Sequence, residues 1–572
     1  MDYEMSDKQA IRKLIGLLME YKRIICIIIV SLVISTILNF FIPLISRKIM
    51  DDGFIAGDWN LLVKLAIASF LIYVFITSLK LLTEKFRVNL SAKIQYNLNK
   101  QAFNHLMRVR MEYYDKINYT ETFSNLNMDI SNMISVADEG MFFVVTQIFG
   151  IVGGIIGLFI LDYRMTIIVI LIIPVKYVVM KHFARKRKEV MDSFIDASKN
   201  YSGWFGDTVG GVREIRLLGI LNRKQAEFSN RQIKIISEQK KLNMLSQWNI
   251  GIDSLMVQAM VLIIYIVGAN LVFNMGLTIG TVFAFVTYSA YVTGPISAIL
   301  NIKYLLSGII PSTKRYYKFM SVPEEDDAEE IEIPDWKHIS FNRVTFSYSD
   351  NEPAVEDVNL CIEKGSKVAL IGKNGCGKST LVDLLLRLRI PQKGSITLDN
   401  IDIRKLSMTT YREMFAVVSQ DVYLFNDSIR NNICLYQDID EKKLLQVCEE
   451  SGLSDFIKEV SFDYNVGVNG IMLSGGQKQK IALARALLLD RPIIILDEVT
   501  SNVDYSSELH LNELVHTSLK EKTVIVISHH QSILNVMDQI ILIEDGRVIL
   551  MGDVDYVINK KEYKEMISYL KM

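Results

Sequence analysis

The chain is poor in cysteine and has no surplus of charge of either sign. Its five cysteines are odd in number, irregularly spaced and never arranged as CxxC, which argues against a disulfide framework and a zinc site. Lys and Arg total 63 against 64 Asp and Glu, so the net charge of −1 gives no reason to expect a nucleic-acid partner. Hydrophobic residues make up 50% of the 572 residues, which excludes disordered and collagen-like classes.

Charge is missing altogether from three long runs in the first half. A helix needs about 20 apolar residues to cross a hydrocarbon core about 30 Å thick. Ile24–Ser46 and Met141–Leu161 contain no Asp, Glu, Lys or Arg, and neither does Ser254–Ile302, which Asn274-Met275-Gly276 divides into two. A buried core helix is the alternative for one run, but not for so many. With two weaker runs the sequence predicts six spans: 24–46, 61–83, 141–161, 165–183, 247–273 and 278–302.

Basic residues are distributed unevenly between the two sets of loops. The segments 1–23, 84–140 and 181–246 hold 26 Lys and Arg, whereas the other loops hold three. The positive-inside rule therefore predicts a multi-pass protein of the cell membrane, with a cytosolic amino terminus and a cytosolic second half. Residues 84–140 and 184–246 have long helical patterns and no proline, so we expect helices that continue out of the membrane.

The segment 1–23 and two charged residues inside spans carry separate predictions. In 1–23, Ser6 or Asp7 would cap a helix with an apolar stripe and basic flanks, which fits an interfacial helix on the inner leaflet. A solvated helix is the alternative. Lys176 and Asp253 fall towards the cytosolic part of their spans, and either form an ion pair or contact a substrate.

The composition changes after residue 320, where the membrane domain, 24–320, is expected to end. Residues 321–337 are acidic and polar and are predicted to be a linker. Residues 338–572 alternate strand-like runs with helical segments. The predicted fold class is therefore an all-α transmembrane domain followed by an α/β P-loop domain.

A buried strand run, Val368–Ile371, leads into a glycine-rich loop that matches G-x-x-x-x-G-K-[ST]. The glycines let backbone N–H groups face phosphate oxygens at the amino end of a helix. Lys378 is expected to reach the β- and γ-phosphates and Ser379 to bind Mg²⁺. The predicted ATP-binding loop comprises Gly372, Lys373, Asn374, Gly375, Cys376, Gly377, Lys378, Ser379 and Thr380.

Two carboxylates follow a second buried strand run, Ile493–Leu496. Asp497 fits the Mg²⁺-holding carboxylate of a P-loop enzyme. Glu498 is in position to act as the general base for the attacking water. A pair of carboxylates kept only for solubility is the alternative, but it does not explain their place after four apolar residues.

The sequence Leu473-Ser474-Gly475-Gly476-Gln477 resembles the signature of ATP-binding cassette proteins. Nearly the whole chain resembles an ABC exporter half-transporter, with a six-span domain before the nucleotide domain. The resemblance implies ATP and Mg²⁺ as ligands. It implies that the contacts of ATP include Tyr348 at the adenine, Gln420, the signature residues Ser474, Gly475, Gly476 and Gln477, and Asp504 at a dimer seam. It also implies that Gln420 joins Ser379 and Asp497 at Mg²⁺, and that His529 rather than His530 contacts the γ-phosphate.

A second half-transporter is the partner that the resemblance implies, because the signature acts on the phosphate of the opposite subunit. Glu498 and His529 are both present, which favours a homodimer and leaves a heterodimer open. Val468 stands where exporters usually have an acid, Lys478 and Lys480 replace arginines, and His530 also replaces an arginine. The substitution of the acid puts one contact with the opposite membrane domain in doubt.

The resemblance places docking segments near Met111–Thr122 and Ser198–Val209. In the first, Tyr113, Tyr114 and Asp115 resemble a short docking helix. In the second, Trp204 and Phe205 either seat in a groove of the nucleotide domain or only pack between helices.

ATP-driven export or flipping of a hydrophobic or amphipathic substrate is the predicted function, with the lipid bilayer as surroundings. A small peptide or hydrophobic small molecule is favoured as cargo, and a lipid floppase or multidrug exporter is the alternative. An ATP-gated channel or regulator on the same scaffold is more remote, because Glu498 favours turnover. An importer fits poorly with the short outer loops. No cysteine-peptidase domain precedes the first span, so we do not expect coupled leader-peptide cleavage.

Overall fold

The computed structural model describes residues 5–115, 119–137, 139–325, 335–348, 352–498, 505–528, 531–534 and 536–570. Contacts between residues divide the chain into two units. The first comprises residues 1–107 and 117–322, and the second comprises 108–116 and 323–572. The segment 108–116 therefore belongs to the second unit, although the sequence-based division assigned it to a continuous membrane domain, 24–320.

The described part of the first unit is helical, as predicted for the membrane domain. A π-helix, Ile49–Ile55, continues α2, and a 3₁₀ turn, Ser135–Ala137, follows α5. The helices, including α4 of the second unit, are α1 (Asp7–Met19), α2 (Lys22–Lys48), α3 (Trp59–Leu106), α4 (Met111–Tyr114), α5 (Tyr119–Ile134), α6 (Glu139–Leu161), α7 (Tyr163–Gly210), α8 (Val212–Leu217), α9 (Leu221–Met275), α10 (Ile279–Thr293) and α11 (Pro295–Phe319).

Four of these helices are long and apolar enough to cross a membrane, namely α2 with its π-helical extension, α3, α7 and α9. Two shorter apolar stretches lie in α6 and α10. Each predicted span overlaps one of these helices, but the sixth, 278–302, is divided after Thr293. Pro295 stands at the start of α11, where a missing backbone N–H costs no helical hydrogen bond.

Close packing joins α2, α6 and α10 inside the first unit. Gly157 of α6 lies against the ring of Tyr288, and a Cβ atom at residue 157 would come within 2.6 Å of that ring. The Tyr288 hydroxyl donates a hydrogen bond of 2.5 Å to the carbonyl of Phe40 in α2. A small residue on one helix therefore admits the largest buried side chain of another.

The amino-terminal helix α1 begins at the predicted cap. Ser6 Oγ accepts from the backbone N–H of Gln9, and the Gln9 side chain accepts from the backbone N–H of Ser6, which completes a capping box. The predicted apolar stripe consists of Ala10, Ile11, Leu14, Ile15 and Leu18. Leu14 is buried, whereas Ile15 is exposed. The apolar stripe is thus divided between a buried and an exposed face, and the interfacial location stays a prediction.

The second predicted docking segment, Ser198–Val209, is wrong, because these residues lie inside α7. The turn comes later, after Gly210, and contains α8. Trp204 donates from Nε1 to Glu227 of α9 at 2.9 Å, and the guanidinium of Arg231 lies 5.3 Å from its ring centre. Trp204 therefore packs between helices, as in the alternative given above, and joins α7 to α9 of the same unit.

The described part of the second unit contains two sheets and short helices, and confirms the predicted α/β class. The strands are β1 (His338–Phe346), β2 (Val355–Glu363), β3 (Lys367–Ile371), β4 (Lys393–Leu398), β5 (Ile401–Asp402), β6 (Phe415–Val418), β7 (Ile493–Asp497), β8 (Thr523–Ile527), β9 (Gln539–Glu544) and β10 (Arg547–Asp553). The helices after α11 are α12 (Lys378–Leu385), α13 (Met408–Arg412), α14 (Ile429–Cys434), α15 (Glu441–Glu450), α16 (Ser454–Val460), α17 (Gly475–Leu489), α18 (Tyr505–His516), α19 (Gln531–Leu534), α20 (Val554–Ile558) and α21 (Lys561–Leu570).

The larger sheet has the strand order β10-β9-β3-β8-β7-β6. Only β10 pairs antiparallel, and the other five strands are parallel. Strands β3 and β8 are buried along their whole length, as expected for parallel strands covered on both faces. The smaller sheet, β2-β1-β4-β5, is antiparallel. Polar groups of the parallel strands are therefore confined to the strand ends.

The predicted linker, 321–337, is held by pairing at its start. Val109 and Glu324 form an isolated antiparallel β-bridge, and Glu325 N donates to Arg108 O at 2.7 Å. The Glu325 carboxylate accepts two hydrogen bonds from Arg412, at 2.7 and 2.8 Å. Residues 326–334 of the predicted linker lie outside the described residues.

Lys176 of α7 and Asp253 of α9 form an ion pair, with 2.7 Å between Nζ and Oδ1. The Lys176 side chain is 2% exposed and that of Asp253 is 29% exposed. The predicted pairing is confirmed. An ammonium group at this depth depends on its carboxylate, because a buried charge without a partner is costly.

Replacing Lys176 by Met should destabilise the protein, because the charged Asp253 carboxylate then loses the ammonium group with which it forms the ion pair. Losing one member of a fully buried pair costs about 3–5 kcal/mol, and the partial exposure of Asp253 should reduce this. We expect a lower Tm for Lys176→Met and recovery of most of it in Lys176→Met/Asp253→Asn. If the double variant regains its Tm but loses substrate stimulation of ATP hydrolysis, the pair contacts the substrate and is not only structural.

Candidate functional site

Four parallel strands of the second unit end at one edge of the sheet, and predicted site residues follow each of them. The sheet order places β8 between β3 and β7, with β6 beyond β7. The glycine-rich loop follows β3, and Gln420 follows β6. Asp497 and Glu498 stand at the end of β7. Carboxyl ends of parallel strands are where open α/β sheets bind ligands.

The glycine-rich loop needs glycine at two positions for different reasons. Gly377 has φ = +104°, a conformation that other residues rarely adopt, and it immediately precedes α12. Gly372 has ordinary φ, but an added Cβ would collide with the Ile543 carbonyl and come within 2.5 Å of Cys376 Sγ. The loop is therefore packed tightly on β9, with its backbone leading into the amino end of α12.

Lys378 is buried and folds back onto the loop that contains it. Its Nζ donates to the carbonyl of Gly372 at 2.8 Å and to that of Lys373 at 2.9 Å. Lys373 makes a different contact, an ion pair with Glu544 at 2.8 Å. The two lysines of the loop therefore have different roles. Lys373 fixes the loop to β9, and Lys378 places a positive charge inside the loop.

Two adjacent carboxylates face this positive charge. Burial, then the neighbouring Glu498, raise the pKa of Asp497 to about 6, against an attraction from Lys378 that lowers it. Gln420 donates from Nε2 to Glu498 Oε2 at 2.7 Å. Because the anionic form of Asp497 is disfavoured, the edge is suited to a divalent cation, and carboxylate and amide oxygens are ligands that such cations prefer.

Tyr348 stands beside the loop, two residues after β1. Its hydroxyl lies 3.1 Å from Oγ1 of Thr380, and the rings of Phe346 and Tyr348 form a T-shaped pair with a centroid distance of 5.1 Å. The Arg389 guanidinium also lies 5.1 Å from its ring centre. Tyr348 remains 53% exposed. It therefore presents an oriented aromatic surface next to the phosphate loop.

The signature begins α17 with a capping box. Ser474 Oγ accepts from the backbone N–H of Gln477 at 3.3 Å, and Gln477 Oε1 accepts from that of Ser474 at 2.8 Å. Lys478 donates to the carbonyl of Asn469 at 2.8 Å, which ties the preceding turn to the helix. Val468, the residue in place of the usual acid, is 68% exposed. The signature is a rigid helix start with an apolar residue beside it.

Comparison with known families agrees with this arrangement. A family model described as the ABC transporter transmembrane region matches residues 25–296, and a second, described as ABC transporter, matches residues 355–501. The chain belongs to the ABC transporter family. It is accordingly a membrane-spanning exporter whose ATPase domain couples ATP hydrolysis to transport.

Relatives of this ABC transporter extend over almost its whole length. It is 29% identical over 564 residues to the ATP-dependent lipid A-core flippase of Idiomarina loihiensis, and 27% identical over 565 residues to that of Wigglesworthia glossinidia brevipalpis. In both cases 96% of this chain and 96% of the relative are covered. A solved bacterial Atm1-family ABC exporter with ATP bound has the same fold, with a TM-score of 0.82, 20% identity, and coverage of 96% of this chain and 99% of that chain.

The structure brings most of the predicted ATP-site residues to one edge, but not all of them. The glycine-rich loop, Gln420, Asp497, Glu498 and the adjacent Tyr348 lie in one unit, whereas Asp504 and His529 fall outside the described residues. Sequence reasoning missed Arg389, which contacts Tyr348 and also pairs with Asp115. No local pattern points to that pairing, because its members are 274 residues apart.

The environment of Cys376 sets the conditions for modifying the loop. The thiol is buried, and burial raises its pKa, against an attraction from Lys378. The thiolate is the reactive form, so N-ethylmaleimide should inactivate the ATPase slowly at neutral pH and faster as the pH rises towards the thiol pKa. Bound ATP should protect, because its phosphates occupy the loop.

The Cys376→Ala variant supplies the control, since it keeps the more accessible Cys26 and Cys361. We expect this variant to retain its ATPase activity in N-ethylmaleimide at every pH tested. Equal inactivation rates for the variant and the wild-type chain would show that another thiol is responsible.

Proposed function

We propose that the chain is one half of a dimeric exporter that uses ATP and Mg²⁺ to move an amphipathic, lipid-like substrate across the cell membrane. The observation that carries this proposal is the convergence of Lys378, Asp497 and Glu498 at one sheet edge, in a chain whose first unit has long apolar helices. One polypeptide thus contains both the residues for ATP hydrolysis and the helices that cross the membrane.

The residues of the sheet edge have distinct roles in this proposal. Tyr348 stacks on the adenine, and the loop from Gly372 to Thr380 surrounds the phosphates. When ATP binds, the Lys378 ammonium group turns from the loop carbonyls towards the phosphates. Ser379, Gln420 and Asp497 hold Mg²⁺, which supplies charge neutralisation when bound. Glu498 takes a proton from the attacking water, and its hydrogen bond from Gln420 keeps the carboxylate oriented. His529 contacts the γ-phosphate, and Asp504 lies at the dimer seam.

A second copy of the chain supplies the remaining contacts. Each chain contains one phosphate loop and one signature, Ser474–Gln477, so two chains paired head to tail form two complete sites. Every group of a hydrolytic site is present, which supports a homodimer, while a related second chain would serve equally. The basic residues concentrated in 1–23, 84–140 and 181–246 support a cytosolic amino terminus and a cytosolic ATPase unit.

A cavity among α2, α6 and α10 supports an amphipathic cargo. Its volume is about 260 Å³, and its described lining is uncharged, mixing small, aromatic and amide side chains. The lining residues are Thr36, Asn39, Phe40, Thr146, Gln147, Gly150, Gly153, Gly154 and Tyr291. Hydrogen-bonding groups in an otherwise apolar wall suit a molecule with both polar and apolar parts. The names of the relatives also favour a lipid over the small peptide predicted from the sequence.

The central test is transport by purified chain in proteoliposomes. The wild-type chain should accumulate an amphiphile against its gradient, and Glu498→Gln should bind ATP normally but lose at least about 100-fold in turnover, as expected for a lost general base. Equilibration without accumulation would favour an ATP-gated channel instead. Stimulation of ATP hydrolysis should be compared across lipid A-core, neutral lipids, hydrophobic peptides and dyes.

Thr36 and Thr77 provide a matched pair for locating the cargo. Both hydroxyls donate to the carbonyl four residues earlier, at 2.8 and 2.9 Å, but Thr36 lines the cavity and Thr77 is exposed on α3. Thr36→Val should raise the cargo concentration that half-stimulates ATP hydrolysis several-fold, because the cavity loses a polar group. Thr77→Val should leave it unchanged, and equal effects would place the cargo elsewhere.

The pH dependence of Mg²⁺ binding follows from Asp497. Its pKa of about 6 lies above the ordinary value of 3.8, so the carboxyl group is protonated as the pH falls through 6, and a proton must leave before the cation binds. The Mg²⁺ concentration for half-maximal ATPase activity should rise roughly tenfold per pH unit below that pKa. Asp383→Asn, which removes a carboxylate that raises this pKa, should move the transition to lower pH. A Mg²⁺ requirement that is constant through this range would contradict the assignment.

A further inference from the structure

A buried arginine of the second unit joins two parts of it that are far apart in sequence. Arg389 is 7% exposed. Its Nη2 donates to Asp115 Oδ1 at 2.8 Å, and its Nη1 donates to the other oxygen of the same carboxylate. Asp383 lies 3.9 Å from its Nε. The two parallel hydrogen bonds fix the plane of the guanidinium as well as its position.

The same guanidinium contacts the ring of Tyr348, at 5.1 Å from the ring centre. This distance is within the range of a cation–π interaction, which gains strength where the cation is shielded from water. The Tyr348 hydroxyl lies 3.1 Å from Oγ1 of Thr380, and the Phe346 ring packs against the Tyr348 ring in a T-shaped arrangement. The orientation of the ring is therefore set from three sides, and only one of these contacts is with a charged group.

Asp115 follows directly after α4 in a segment that the main chain also holds. Arg110 N donates to the Pro323 carbonyl at 3.3 Å, and Glu325 N donates to the Arg108 carbonyl at 2.7 Å. Residues 108–115 are therefore attached at one end by backbone pairing and at the other by Arg389. In sequence, this segment connects α3 with α5 of the first unit.

We propose that Arg389 is a positioning residue that links adenine stacking on Tyr348 to the segment 108–115, so that this segment responds to the base of ATP and not only to its phosphates. The inference rests on the proposed role of Tyr348 in the ATP site. Adenine stacked on one face of the ring restrains it, and the restraint reaches the guanidinium on the ring and through it the Asp115 carboxylate. The planar guanidinium can transmit this restraint, because a displacement of the Tyr348 ring changes its alignment with the Asp115 carboxylate, and a displacement of the carboxylate changes its alignment with the ring.

The test compares ATP with inorganic tripolyphosphate, which has the phosphates but no base, on the full-length chain in lipid nanodiscs with Mg²⁺. Binding of each ligand and hydrogen exchange of the amides in 108–115 are measured. In the wild-type chain, ATP should slow exchange in 108–115 at least about twofold, and tripolyphosphate should not. Arg389→Gln should weaken ATP binding about fivefold, change tripolyphosphate binding by less than about twofold, and abolish the exchange response.

Two further variants separate the two contacts of Arg389. Asp115→Asn keeps the contact between Arg389 and Tyr348, so ATP affinity should stay within about twofold of wild type while the exchange response is lost. Arg389→Lys keeps the charge but not the planar fork, so its ATP affinity should lie between wild type and Arg389→Gln, with a weakened response. It also guards against a folding defect, because a cation is kept beside the Asp115 carboxylate.

Arg430 is the matched control. It makes two hydrogen bonds to Glu441, at 2.9 and 3.0 Å, and lies 4.8 Å from the ring centre of Phe462, so it has the same two kinds of contact away from the ATP site. Arg430→Gln should leave both ligand affinities and the exchange response unchanged.

Each of the following results would overturn the inference. ATP and tripolyphosphate could slow exchange equally, Arg389→Gln could weaken both ligands by the same factor, or Arg430→Gln could reproduce the effects of Arg389→Gln. Failure of the wild-type chain to bind ATP would overturn the proposed function together with the inference. Normal ATP binding with an unresponsive segment 108–115 would overturn the inference alone.

Discussion

Negative charge at the edge of the six-stranded sheet has to be balanced, and the organisation of the second unit follows from this requirement. The strands that end there are apolar between their first and last residues, so their polar side chains are confined to the strand ends. Asp497 and Glu498 are neighbours in sequence, and their mutual repulsion adds to the cost of partial burial. Lys378 supplies part of the compensation from the adjacent loop. A ligand that brings cations to the carboxylates and anions to the loop completes it.

The second unit is assembled from two separate stretches of the chain. The segment 108–116 between α3 and α5 belongs to it, and a β-bridge and the ion pair of Asp115 with the buried Arg389 hold the described part of the segment there. The second unit is therefore not a single continuous stretch of the sequence. The segment is continuous in sequence with α3 and α5, and the proposed role of Arg389 makes it a connection between nucleotide binding and these helices. The Arg389 side chain stands where that segment meets the aromatic residue next to the phosphate loop.

Much of the fold could be predicted because local patterns determine it. Parallel strands covered on both faces need continuous apolar runs, and the loop at Gly377 needs a backbone that only glycine adopts easily. The start of α17 could be anticipated from Ser474 and Gln477, three residues apart. The second docking segment was placed too early, because the resemblance puts it near Ser198–Val209, whereas α7 continues to Gly210. The division at Gly294-Pro295 was also missed, although a Gly-Pro pair is a recognised sign of a helix break. The contact between Asp115 and Arg389 depends on tertiary packing, which no spacing of residues encodes.

Because the second unit is built from two separate stretches of the chain, it cannot be isolated intact by a single cut. A fragment that begins near residue 323 would contain every strand of both sheets and the whole phosphate loop. It would lack the strand partner of Glu324 and the carboxylate of Asp115, and Arg389 would lose the acceptor of its paired hydrogen bonds. Asp383 would remain 3.9 Å from the Arg389 Nε, but the two lost hydrogen bonds would have to be replaced by water or by a rearrangement of the surroundings, which include Tyr348. The severed ATPase would therefore be an altered enzyme, with its adenine side changed by the cut itself.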